Sequence, residues 1–105
     1  MLSVLPLRQL EIVGQEYLLS IIPQANIAPN TWQFELRNKR KSGLIPGGFK
    51  LRLLTEAGES FPNNEAIATE AVESLYLTLS IKPKTILMLE IEPIPENYHR
   101  EILIF

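Results

Sequence analysis

The chain has 105 residues, with 10 Lys and Arg against 12 acidic residues that are all Glu, a formal charge of -2 and a pI near 5.4. That length fits one domain, residues 1–105, and the balance gives no global electrostatic pull towards nucleic acid or anionic lipid. The absence of cysteine excludes disulfides and thiolate metal sites, and no run approaches the roughly 20 apolar residues of a membrane helix.

The start, Met1 to Leu7, is apolar, yet it lacks a basic leader and is broken by Pro6 and Arg8, so it does not read as a signal peptide. The chain is therefore expected to be soluble and cytoplasmic, without a membrane partner. The first extended segment spans residues 7–13, where Leu10 and Ile12 alternate with Gln9 and Glu11, and a turn at Gly14-Gln15 follows. Period two puts alternate side chains on opposite faces of a strand. Residues 17–22 are more continuously apolar, which points to burial on both faces or to a bulge, and Pro23 ends them. Pro29-Asn30 opens a third strand at residues 31–37, in which Trp32, Phe34 and Leu36 face the core and Gln33, Glu35 and Arg37 face away. The second and third strands are expected to be hairpin neighbours.

Residues 38–48 form a long polar loop whose Pro46-Gly47-Gly48 supplies backbone torsions few other residues tolerate. A fourth strand at residues 49–55 alternates Phe49, Leu51 and Leu53 with Lys50 and Arg52, and stops at the turn Glu56-Ala57-Gly58-Glu59. After the breakers Phe61-Pro62-Asn63-Asn64, residues 66–72 carry mixed signals: their alanines and glutamates favour helix, while their shortness and flanking strands favour an extended or irregular edge segment, which is the expectation. Residues 75–81 alternate Leu75, Leu77, Leu79 and Ile81 with Tyr76, Thr78 and Ser80, and residues 86–92 and 101–105 complete the set. The apolar C-terminus is expected to be paired in a sheet, so truncating it should impair folding. Short strands separated by turn signals predict an all-β chain, an antiparallel β-sandwich of immunoglobulin-like type with about seven strands.

The stretch Ile45-Pro46-Gly47-Gly48-Phe49-Lys50-Leu51-Arg52-Leu53-Leu54, the turn Glu56-Ala57-Gly58-Glu59, and the ending with Glu90, Pro93, Asn97, Tyr98 and Arg100-Glu101-Ile102-Leu103 resemble the C-terminal β-rich portion of an uncharacterised cyanobacterial protein family, a domain of unknown function. Residues 10–19 are similar to the strand that opens that portion. Members of the family are longer and carry a mostly helical N-terminal part, so this chain is similar to the isolated β domain or a short paralogue. The resemblance implies a cyanobacterial source and an immunoglobulin-like sandwich. It brings no established activity and no catalytic residue.

Reactive constellations are sparse. His99 is the single histidine and, without cysteine or aspartate, falls short of the usual zinc ligand sets. No Gly-x-Ser-x-Gly elbow marks a nucleophile. Glu90 and Glu92 share one strand face, whereas glycoside hydrolysis needs carboxylates across a cleft. Lys50 and Arg52 form an equivalent basic pair and would meet those glutamates if the two strands were neighbours. The sharpest charge feature is Arg37-Asn38-Lys39-Arg40-Lys41, whose cations suit an acidic partner. The reading is thus a non-enzymatic protein-interaction module, with Arg37, Lys39, Arg40 and Lys41 as partner-binding residues, no catalytic, cofactor or metal residues, and sheet edges available for a homo-oligomer. Alternatives are a small-ligand or carbohydrate binder that stacks its ligand on Tyr76 or Tyr98, and nucleic-acid association through residues 37–41, which the acidic whole disfavours.

Overall fold

The computed structural model describes residues 7–105, which fold into eight strands without a helix. The expectation for the chain's first residues falls, up to residue 6, outside the described residues. The strands are β1 (Leu7–Ile12), β2 (Gln15–Pro23), β3 (Thr31–Asn38), β4 (Lys50–Thr55), β5 (Glu65–Ile67), β6 (Ser74–Ser80), β7 (Ile86–Glu92) and β8 (Glu101–Ile104). They form two four-stranded antiparallel sheets in the orders β1-β2-β3-β6 and β5-β4-β7-β8, packed face to face. The expected hairpin of β2 and β3 is present, with Leu19 opposite Leu36 and Ile21 opposite Phe34. Residues 66–72 resolve into the end of the short β5, an irregular stretch and a bridge between Val72 and Ile45, so their helix propensity yields to pairing with β4.

Each sheet turns one set of alternate residues inward. Ile12, Leu19, Ile21, Phe34 and Leu36 from one sheet meet Leu51, Leu53, Leu89, Ile91 and Leu103 from the other, all at most 2% exposed. Burying one such side chain contributes roughly 1.5 to 3 kcal/mol. Trp32 departs from the expectation of a fully buried core position. It is the second residue of β3, is only half-buried, and packs edge-on against Phe105 at a centroid distance of 5.1 Å.

The β1–β2 connection is a two-residue turn at Val13-Gly14, one position earlier than the sequence suggests, with φ of +48° and +76°. Two positive φ angles in a hairpin are the type I′ signature, which favours Asn-Gly because a β-branched side chain crowds the left-handed region. Val13 is 77% exposed, so burial does little to offset that crowding. Val13→Asn is expected to stabilise the domain by about 1 kcal/mol, read as a rise in the denaturation midpoint with unchanged slope. A fall would show that the Val13 side chain makes a stabilising contact.

Candidate interaction site

The basic loop is built by its anchors. β3 ends at Asn38, whose side-chain oxygen accepts the Arg40 backbone N–H at 2.9 Å and the Gln15 amide at 3.3 Å, while its amide nitrogen donates to the Leu44 carbonyl at 3.2 Å. This asparagine folds the chain back on itself. A Cβ at position 43 would overlap the Asn38 side chain, so Gly43 is what permits the close approach. Beyond it, Ile45 is fully buried and bridged to Val72, which fixes the far end of the loop.

The result is a cleft of about 540 Å³ between the loop and the outer face of the first sheet. All four cations singled out by sequence line it, joined by Glu35 of β3 and by Glu73 and Ser74 at the start of β6. The structure divides the cations into two roles. Lys39 donates its backbone N–H to the Glu16 carbonyl at 3.1 Å and its ammonium to the Glu16 carboxylate at 3.0 Å, so it ties the loop to β2. Arg37, Arg40 and Lys41 are exposed and make no ion pair among the described residues. Glu16, Glu35 and Glu73 escaped the sequence reading because their place beside the loop depends on strand register: Glu35 stands opposite Tyr76, and Arg37 opposite Ser74.

The other candidates lie elsewhere. Glu90 and Glu92 face outward on β7, with Arg52 and Lys50 directly across on β4. Lys50 pairs with Glu92 at 3.3 Å, while Glu90 holds both Arg52 and Arg100. These carboxylates neutralise neighbouring cations, and among the described residues no further carboxylate lines the cleft of about 230 Å³ that they share with Tyr98 and Arg100. His99 is exposed beside this network, and no metal-binding group of three acidic or imidazole side chains forms among the described residues. Tyr76 is 59% exposed beside the cationic cleft. Tyr98, by contrast, is half-buried: it packs against the core, its hydroxyl donates to the Leu89 carbonyl at 3.1 Å, and it lines a smaller cleft with Glu90 and Arg100.

Two of these groups carry a pH signature. The hydrogen bond from Arg52 holds the Glu90 carboxyl below its ordinary 4.5, against the opposing effect of burial and with help from Arg100. Burial, reinforced by Glu101, pushes the Tyr98 phenol up to about 12 from 10.0. A depressed carboxyl contributes stability above the unfolded value and loses it as pH falls through the folded one; a raised phenol contributes below pH 10.0 and loses it as pH rises towards about 12. Denaturation midpoints are therefore expected to fall below about pH 4.5 and above about pH 10, with Glu90→Gln flattening the acid limb and Tyr98→Phe the alkaline limb. An unchanged alkaline limb in Tyr98→Phe would place its cause elsewhere.

No helix among the described residues is long and apolar enough to cross a membrane. Searches of curated proteins and of solved structures give no match to this chain. Compared with known protein families, residues 4–104 match the one described as Protein of unknown function (DUF1822), and the chain belongs to that family.

Proposed function

We propose that the chain is a non-enzymatic interaction module, cytoplasmic and of cyanobacterial origin, that binds an acidic protein partner in the cleft beside its basic loop. One observation carries this reading: Arg37, Arg40 and Lys41 are exposed, make no ion pair among the described residues, and surround a preformed concavity on a chain whose net charge is negative. Elsewhere on the surface, Lys50, Arg52 and Arg100 are matched by glutamates. Charges left at the rim of an interface steer association and set its dependence on salt. Lys39 is the anchor that presents the other three, and the cleft corresponds to the C-terminal β-rich portion of longer family members.

The test reverses Arg37, Arg40 and Lys41 to Glu, leaving Lys39 in place, and measures binding of a fluorescent poly-glutamate peptide beside duplex and single-stranded nucleic acid. We expect the peptide to bind the wild-type chain with a marked salt dependence, and the reversal to weaken it at least about tenfold with an unchanged denaturation midpoint. Equal binding by the variant would return the loop to a solvated connection. Tight wild-type binding of nucleic acid, lost in the variant, would replace the acidic protein by a phosphate backbone.

A further inference from the structure

Two sheets leave four edges, and three of them are closed or short. The edge at β1 carries Arg8 and Glu11; Arg8 reaches Glu101 of β8 at 2.9 Å, and the Glu11 carbonyl accepts the Glu96 N–H at 2.8 Å. β5 has three residues, and β8 has four, the first of them Glu101. β6 differs from all three. It runs seven residues, Ser-Leu-Tyr-Leu-Thr-Leu-Ser, without a charge, a proline or a glycine. Sheet edges in native proteins are guarded by such residues because unpaired N–H and C=O groups recruit other strands.

The direction of those groups follows from the ladder. The Ile81 N–H donates to the Asn30 carbonyl at 2.7 Å, in line with the β3–β6 register. Hydrogen-bonded pairs alternate in an antiparallel ladder, so Leu75, Leu77 and Leu79 bond towards β3 and Ser74, Tyr76, Thr78 and Ser80 aim their N–H and C=O groups at the open side. Ser74, where β6 begins, also lines the cationic cleft together with Glu73. An extended chain laid antiparallel along β6 therefore delivers its C-terminal end to Arg37, Arg40 and Lys41.

We propose that β6 takes an extended segment of a partner protein as an added antiparallel strand, with carboxylates at the segment's C-terminal end held in the cationic cleft. This rests on the reading of the cleft given above and adds to it the mode of binding and the chemistry of the partner: a β-prone run of alternating apolar and polar residues that ends in acidic ones. Main-chain hydrogen bonds supply affinity, and the cleft fixes polarity. Charge separates this occupant from a second copy. Pairing two β6 strands about Leu77 sets Ser74 against Ser80 of the other copy, whose following residues Ile81-Lys82-Pro83-Lys84 run past Glu73 and Glu70 and bring no carboxylate to the cleft.

The probe is a short peptide of alternating threonine and valine that ends in glutamates, compared with a peptide of the same composition that begins with them and with poly-glutamate. We expect the first peptide to bind most tightly and to slow hydrogen exchange at the Tyr76 and Thr78 amides. Thr78→Pro removes an open-edge donor and leaves the β3 ladder intact, and should weaken this peptide at least about tenfold while poly-glutamate binding stays unchanged. Thr78→Lys, a milder guard of the edge, repeats the test if the proline variant folds poorly. Binding that depends on Arg37, Arg40 and Lys41 with no protection at β6 would overturn strand addition and leave the acidic-partner reading standing. Failure of every acidic probe to bind would overturn both. Equal binding of the reversed peptide, or a concentration-dependent dimer abolished by Thr78→Lys, would also overturn the proposal, the latter by giving the edge to a second copy.

Discussion

Phe34→Ala is expected to lower the unfolding free energy by about 3 to 5 kcal/mol, with the domain still folded in water. Phe34 is fully buried at the centre of β3, between β2 and β6, and its ring lies 6.0 Å from that of Phe105. Removing it deletes apolar surface and leaves a cavity that two hydrogen-bonded sheets cannot close. Trp32→Ala serves as the contrast. The tryptophan is larger, but it is only half-buried near the start of β3, so its loss should cost less than that of Phe34. Chemical denaturation of both variants checks the order. A larger loss at Trp32 would mean that the start of β3 is as tightly packed as its centre.

Deletion of residues 101–105 is expected to leave the chain unfolded. The segment contributes β8, which pairs with β7 from Ile86 opposite Ile104 to Leu89 opposite Glu101. It also contributes Leu103, 2% exposed, and the ring of Phe105 against Trp32 and Phe34. Truncation of one buried leucine to alanine costs about 2 to 5 kcal/mol, and a domain has only about 5 to 15 in total. Loss of Leu103, Phe105, the β8 ladder and the Arg8–Glu101 ion pair together exceeds that margin. Circular dichroism and amide dispersion in a proton–nitrogen spectrum report the outcome. A folded, dispersed spectrum of the shortened chain would show that β7 is a stable sheet edge by itself.

Much of this architecture is legible in the sequence. Alternation alone places Leu51 and Leu53 inward and Lys50 and Arg52 outward on β4, and does the same for Leu89 and Ile91 against Glu90 and Glu92 on β7, because a strand turns successive side chains to opposite faces whatever it pairs with. The expected union of the two charged pairs then needs only that β4 and β7 be neighbours, and they are. Residues 66–72 show the limit of local preference: their composition favours helix, and pairing with β4 and the Ile45 bridge makes them extended and irregular.

The loop shows the same division at the site. Its four cations are plain in the sequence as Arg37, Lys39, Arg40 and Lys41, because charge is a property of single residues. Their separation into an anchor and three exposed charges is not, since Glu16 stands 23 positions from Lys39 in the chain and reaches it only through the β2–β3 register. Strand positions, inward faces and the basic character of the loop were determined by local periodicity and composition. Sheet order, the placement of β6 beside β3 as an open edge, the half-burial of Trp32 and the cleft itself were decided by the tertiary structure, because each depends on which distant strands pack together and in what register, and a period of two is the same for every possible neighbour.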